Sequence, residues 1–435
     1  MKFNPIEFIE KKRDGGCHTK EEIQALVDSV MNSRLPDYQL AAWLMAVYFN
    51  GLDEEETMYL TKALANSGET IIYADNEKII DKHSTGGVGD KTTLILIPLV
   101  AACGATISKL SGPGLGYTGG TVDKLESIPN MKIHLSEVQF RRQVENIGCA
   151  VSGHSAKLAP AEKKFYKLRD VTGTVPSIPL ITSSIISKKL AGGAFGYLFD
   201  VKFGSGAFMR KESDARLLAE SLVSISKKLG KKCIAVITNM EQPLGEFVGN
   251  SAEVYESIMV LSGSGPSDTR ELCVTLGAYM LNMADICSTV EEGLLLCENA
   301  LDNGSALAKF AELIKAQGGD PLIVFNPQSI FPSTKLVYEI KSDKKGYLSK
   351  LDAKLIGEGL RALGGGRQKQ EDKIDSAVAI RLLAKVGSPI KNNETILKLY
   401  YNTQEQIDRA MPYLNICWNV SDRAEKNKLI IDYIK

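Results

Sequence analysis

The sequence carries no excess of charge of either sign, with lysine plus arginine and aspartate plus glutamate each numbering 52. That balance excludes a protein built to cover a polyanion with a broad basic face, so nucleic acid is not an expected partner, whereas a small anion needs only local charge. No run approaches the roughly 20 apolar residues that span a bilayer. The mixed-charge N-terminal stretch lacks the apolar core of a secretion signal, and a cytoplasmic protein without a membrane partner is the expectation. The eight cysteines (Cys17, Cys103, Cys149, Cys233, Cys273, Cys287, Cys297 and Cys417) are scattered without close pairs. Zinc sites and disulfide frameworks are therefore excluded in favour of reduced thiols in apolar surroundings. Internal repeats and low-complexity tracts are also missing.

What the sequence does have is glycine in two telling places. Asp81-Lys82-His83-Ser84-Thr85-Gly86-Gly87-Val88-Gly89-Asp90-Lys91-Thr92-Thr93 follows a short apolar pair and precedes an apolar run. A glycine-rich turn opening a helix gathers backbone N–H groups around one small space, with hydroxyls and a lysine beside it, which suits phosphate. The second stretch, Ser111-Gly112-Pro113-Gly114-Leu115-Gly116-Tyr117-Thr118-Gly119-Gly120-Thr121, follows a strand-like segment. Two such loops converge where neighbouring parallel strands end.

At 435 residues the chain has room for a large core and two or three lobes. Its start reads as short helices: Asn4-Pro5 opens the first, Thr19 with Glu22 forms a capping box for the second, Pro36-Asp37 opens a third, and Asp53 with Glu56 caps a fourth. From about residue 71 short apolar strands (79–81, 106–110, 149–152, 197–202 and 233–238) alternate with helices (94–102, 136–147 and 212–229), the pattern of a sheet covered by helices. Pro160 interrupts it. A helix over 161–170, a proline-bearing connection over 171–179 and a helix over 180–190 follow, and in the last of these Ser184 and Lys188 are four apart and share a face. A hydroxyl and two cations, Lys188 and Arg169, on one spot would grip a planar ring bearing carbonyl oxygens. Beyond about residue 331 the pattern turns to strands and tight turns, with Gly364-Gly365-Gly366-Arg367 as a weaker anion-loop candidate.

The segment 81–90, together with Thr118-Gly119-Gly120-Thr121-Val122-Asp123-Lys124-Leu125-Glu126-Ser127-Ile128-Pro129, resembles the thymidine phosphorylase and pyrimidine-nucleoside phosphorylase family. The likeness continues through Leu158-Ala159-Pro160-Ala161-Glu162-Lys163-Lys164, 177–190, Asp200-Val201-Lys202, Gln242-Pro243-Leu244-Gly245 and 363–375, nearly the whole chain. The fold expected is α/β, a small all-helical domain (1–68 and 160–193) beside a large α/β domain with a mixed sheet (71–156 and 196–330). A C-terminal α+β lobe (331–435) completes it, and the cleft lies between the two main domains. The resemblance implies a cofactor-free pentosyltransferase that uses inorganic phosphate as co-substrate and acts on pyrimidine nucleosides, a homodimer through its helical domain. It places the base-binding arginine, serine and lysine on Arg169, Ser184 and Lys188.

With phosphate held by Lys82, Ser84, Thr93, Ser111 and Thr121, the sugar lies between the two groups, and phosphate displaces the base at the anomeric carbon. His83, whose imidazole ordinarily titrates near neutral pH, is the expected proton donor, with Arg169 and Lys188 beside it in catalysis. Four departures from the family pattern stand near the site: Pro113 in place of an arginine, Tyr117 in place of a histidine, His154 in place of a glutamine, and Lys91. Some bacterial members hold potassium with a threonine at the position of Lys91, main-chain oxygens at Gly89, Leu244 and Phe247, and a carboxylate at Glu256. Here the Lys91 ammonium is expected to take the ion's place beside Glu256, leaving no metal. Two alternatives remain open at this point, a phosphoribosyltransferase of the anthranilate type and a nucleoside-binding relative altered in catalysis by Pro113 and Tyr117.

Overall fold

The structure, a computed structural model, describes residues 3–74, 77–114, 116–369, 372–424 and 427–435. The chain opens with four helices, α1 (Pro5–Arg13), α2 (Lys20–Met31), α3 (Asp37–Asn50) and α4 (Glu54–Ala65). Their starts are fixed by local chemistry: Asn4 accepts from the Ile6 N–H, and Thr19 with Glu22 and Asp53 with Glu56 close reciprocal capping boxes. Ile23, Leu26, Val27, Leu40, Trp43 and Val47 form their shared core, which also takes in Phe165 and Leu180 from later in the chain. Truncating a fully buried aromatic such as Trp43 typically costs about 3–5 kcal/mol.

Strand β1 (Ile79–Ser84) begins the sheet, followed by α5 (Thr92–Ala102), β2 (Thr106–Ser111), α6 (Thr121–Glu126), α7 (Glu137–Ile147) and β3 (Cys149–Gly153). Then α8 (Pro160–Thr172) and α9 (Ile178–Ala191) return to the helical lobe, where α9 packs along α4. The helix α9 starts earlier than the sequence implies, because Pro179 sits in its first turn, where a missing N–H does no harm. The chain re-enters the sheet with β4 (Gly196–Phe203), α10 (Glu212–Lys228) and β5 (Lys232–Asn239).

The C-terminal part contains β6 (Phe247–Val248), α11 (Asn250–Leu261), α12 (Ser267–Met283), α13 (Val290–Asp302), α14 (Ser305–Ala316), β7 (Leu336–Lys341) and β8 (Gly346–Leu351). It ends with α15 (Ala353–Leu360), β9 (Ala379–Leu382), β10 (Pro389–Ile390), β11 (Thr395–Tyr401), α16 (Gln404–Leu414), β12 (Trp418–Ser421) and β13 (Ile430–Ile434).

The large sheet has the order β13-β5-β4-β1-β2-β3, parallel except for β13, which runs antiparallel to β5. Alternate strand residues feed two cores: Ile80, Leu198 and Val236 join the apolar helix α5 on one face, and Ile79, Phe199 and Ile237 join α10 on the other. The sheet is thus mixed, as expected, but the strand that makes it so comes from residues 430–434, a segment assigned from sequence to the terminal lobe. Conversely, β6 leaves the α/β segment to pair with β9 in the terminal four-stranded sheet β6-β9-β11-β7. Short edge strands carry little periodicity, and only their pairing reveals where they belong. Val88, from the first glycine loop, sits in the core of the terminal lobe beside Ile356 and Leu360, so that lobe supports the loop from behind.

Candidate active site

The ends of β1 and β2 and the face of α9 open onto one cavity of about 510 Å³. It is lined on the sheet side by His83, Ser84, Thr93, Ser111, Pro113 and Thr121, and on the helical side by Tyr166, Arg169, Ser184 and Lys188, with His154 also in the wall. The expected phosphate, base and catalytic groups therefore meet, with one exception. Lys82 is buried behind the wall, its Nζ donating to Thr92 Oγ1 at 2.5 Å and lying 3.4 Å from Asp200. Neither Tyr117 nor Lys91 lines the cavity.

On the sheet side, Ser84 Oγ donates to Asp90, and Asp90 in turn accepts from Thr92 Oγ1 at 2.6 Å. Burial raises the Asp90 carboxyl, but Lys202, Lys82 and Lys124 outweigh that effect and hold it well below the ordinary carboxylate range. In the second loop Asp123 accepts from the Gly114 N–H at 2.5 Å and pairs with Arg367 at 2.7 Å. Arg367 belongs to the stretch read as a weaker anion loop, and here its guanidinium faces a carboxylate. A side chain at Gly120 would place its Cβ 2.1 Å from the Gly114 nitrogen, so the loop closes on itself only with glycine there. Tyr117 is directed away from the cavity: its hydroxyl donates to Ala207 O at 3.1 Å and its backbone abuts Gly357 of α15. The residue that replaces the family's histidine thus joins the loop to its neighbours and leaves the cavity wall to others.

On the helical side, α9 presents Ser184 and Lys188 one turn apart, as their spacing requires, with Lys188 Nζ donating to Ser184 Oγ at 3.0 Å. Glu162 of α8, unremarked in the sequence, receives the Ser184 hydroxyl proton on Oε1 and pairs with Lys188 through Oε2 at 3.1 Å. The Arg169 guanidinium donates to the carbonyls of Thr174, Val175 and Leu180 and so shapes the α8–α9 connection. Burial lowers it to about 10, which leaves it charged at neutral pH. Lys188 also lies 5.7 Å from the centre of the Tyr166 ring.

Lys109 was missed as well. On β2 it lines the cavity and donates to Lys82 O at 2.5 Å, 3.8 Å from Asp81. Burial, then its neighbour Lys189, push it well below the ordinary lysine range, with Asp81 opposing. Lys189 of α9 reaches Asp81 of β1 at 2.5 Å, tying the helical wall to the sheet. A charged residue inside a strand buried on both faces is the signal that would have marked Lys109.

The two histidines alter the expected chemistry. Burial and the ammonium groups of Lys189, Lys109, Lys188 and Lys82 hold His83 well below the ordinary imidazole range, and His154, accessible in the cleft but enclosed by protein, is lowered likewise by burial and Lys188. In the ligand-free protein these surroundings disfavour the His83 imidazolium, against the expectation of a group titrating near neutrality. Histidine-labelled NMR is expected to place the His83 midpoint below the ordinary imidazole range, and a midpoint at or above the ordinary value of about 6.5 would contradict this.

The Lys91 side chain is fully buried, its Nζ donating to Leu244 O and Phe247 O at 2.9 Å each and lying 3.0 Å from Glu256. Burial raises the Glu256 carboxyl even with Lys91 and the N–H groups of Phe247 and Glu246 opposing. An ammonium at that point leaves no room for a potassium ion, so these residues do not fit one. Even a Cβ added at Gly245 would come within 2.7 Å of Lys91 Nζ. Among the described residues all eight cysteines are free, and no helix is long and apolar enough to cross a membrane.

A helical lobe faces a largely parallel sheet across a cleft, with glycine loops on one wall and Ser184, Lys188 and Arg169 on the other, and the domains that make it up are those of glycosyl-transferring enzymes. Residues 6–68 match the glycosyl transferase family helical bundle domain, residues 76–307 the glycosyl transferase family a/b domain, and residues 347–421 the pyrimidine nucleoside phosphorylase C-terminal domain. The chain is 47% identical to a pyrimidine-nucleoside phosphorylase of Geobacillus stearothermophilus over 404 residues, 93% of each chain. It is 46% identical to the enzyme of that name from Staphylococcus epidermidis over 426 residues, 98% of each chain. The fold is also that of anthranilate phosphoribosyltransferase from Thermus thermophilus, with a TM-score of 0.59 over 71% of this chain and 99% of that one, at 15% identity. The chain belongs to the pyrimidine-nucleoside phosphorylase family and is a pentosyltransferase.

Proposed function

We propose that this enzyme catalyses reversible phosphorolysis of pyrimidine nucleosides (uridine, deoxyuridine and/or thymidine) to free base and (deoxy)ribose 1-phosphate, with phosphate as co-substrate and no cofactor. The observation that carries the reading is one cavity with hydroxyls and a glycine loop on one wall and Ser184, Lys188 and Arg169 on the other. Ser84, Thr93, Ser111 and Thr121 hold phosphate, with Lys82 acting from behind through Thr92. Phosphate attacks the anomeric carbon as the bond to the base nitrogen breaks, inverting that centre. The electron pair passes to the pyrimidine, where the preorganised charges of Lys188 and Arg169 stabilise the departing anion at its carbonyl oxygens. His83 contributes a neutral imidazole N–H to the same oxygen, and a proton reaches the base once it has left. Closing the lobes removes the water that would compete with phosphate.

Incubation with uridine, thymidine and deoxyuridine, with and without phosphate, tests this directly. Base release that requires phosphate supports it. Release without phosphate, or none with any nucleoside, defeats it, and turnover of a pyrophosphorylated sugar would favour the phosphoribosyltransferase reading instead.

The enzyme is further proposed to act in the cytoplasm as a homodimer through its helical lobe. Ile6, Tyr38, Phe49 and Val171 are exposed there, Phe49 at 77%. Light scattering is expected to give about twice the 47.4 kDa chain mass, and Phe49→Glu is expected to shift the population toward monomer. A monomeric wild-type protein at micromolar concentration would contradict the dimer.

A further inference from the structure

Glu162 has no place in the reaction as written, yet it is a buried carboxylate, 4% exposed, whose partners are the two side chains assigned to the base. We infer that Glu162 fixes the direction of the Ser184 hydroxyl and so confines the site to pyrimidines that carry a proton on N3. The inference rests on the functional reading above and names a residue that determines its specificity.

A hydroxyl has one proton to give and two lone pairs to receive with, while an ionised carboxylate only receives. The proton of Ser184 is directed to Glu162 Oε1, and one of its lone pairs takes a proton of Lys188 at 3.0 Å. What remains for the cavity is a lone pair, so Ser184 reads the ring as an acceptor only. Lys188 is held by Ser184 and by Glu162 at 3.1 Å, and its third proton is left for a carbonyl oxygen. Uracil and thymine offer an N–H at N3 between two carbonyls, which matches this pattern. A ring with a bare nitrogen at N3 sets lone pair against lone pair. A site whose polar groups are built around a substrate N–H rejects the analogue lacking it far more strongly than a missing methylene is rejected, because the buried partner is left unpaired.

The amide of Glu162→Gln has N–H groups to offer Ser184, which frees the hydroxyl to turn its proton into the cavity. The experiment measures calorimetric dissociation constants without phosphate, so that no turnover intervenes, for uridine and for pyrimidin-2-one riboside, which has a bare N3 and no group at C4. The wild type is expected to prefer uridine by about 100-fold or more. In Glu162→Gln the preference is expected to fall below about 10-fold, chiefly through weaker uridine binding, and Glu162→Asp is expected to restore most of it. If the Gln variant does not fold, Glu162→Leu, which removes the carboxylate and leaves Ser184 and Lys188 in place, must lose the preference in the same way. Equal weakening of both ligands with the ratio intact would overturn the role of Glu162. A wild type that binds neither nucleoside would overturn the functional reading itself, and the inference with it.

Discussion

Replacing Lys188 with methionine is expected to lower kcat/KM for uridine phosphorolysis by about a thousandfold, nearly all of it in kcat. The bond to the base breaks only if the electron pair left on the ring is stabilised, and the negative charge exists in the transition state far more than in the bound nucleoside. An interaction made mainly there lowers kcat when lost, whereas one made equally in both raises KM. Lys188 is a quarter exposed at the cavity wall and is held by Glu162 and Ser184. Loss of one preorganised donor of this kind typically costs about 2.7–4 kcal/mol. The KM for phosphate is expected to be unchanged, since phosphate is proposed to bind at the opposite wall. A loss below about tenfold, or one confined to KM, would remove Lys188 from the chemical step.

The second large effect concerns stability. Lys91 and Glu256 are both buried, and the ammonium satisfies two carbonyls as well as the carboxylate. Removing one partner of such a pair leaves a charge in low dielectric with no counterpart, at a cost of about 3–5 kcal/mol. Lys91→Ala is therefore expected to unfold at markedly lower denaturant and to lose activity, because Lys91 directly precedes α5 and its Thr92 and Thr93. Lys91→Thr restores a small hydroxyl and makes room for a cation, so its activity and melting temperature are expected to rise with added potassium. The wild type, carrying its own cation, is expected to work equally well in potassium, sodium or choline salts. A wild type strongly activated by potassium would show that the ammonium does not occupy that place.

Much of this was legible in the sequence because the responsible signals are local. The capping pairs Thr19 with Glu22 and Asp53 with Glu56 announce their helices within four residues, and the glycine loops declare themselves by composition alone. Ser184 and Lys188 share a face because a helix has about 3.6 residues per turn. What escaped depends on distant partners. Glu162 looks like one more charge at the start of a charged helix, and only the approach of α9 makes it the receiver of a buried hydroxyl proton. The sequence does not join Lys109 and Lys189, and only the sheet and α9 bring both to Asp81. Burial first, and then their charge, lowers His83, a property that no inspection of its neighbours in the chain reveals. The contact made by Tyr117 escaped for the same reason, since its hydroxyl partner lies 90 residues ahead.

A crystal structure with phosphate and uracil bound together tests the central claim most directly. The phosphate is expected among Ser84, Thr93, Ser111 and Thr121, and the ring against Ser184 and Lys188 with N3 toward the serine, both in the one cleft and with room for a pentose between them. Ligands found in separate pockets, or a ring seated away from Ser184 with phosphate still in its cradle, would contradict it.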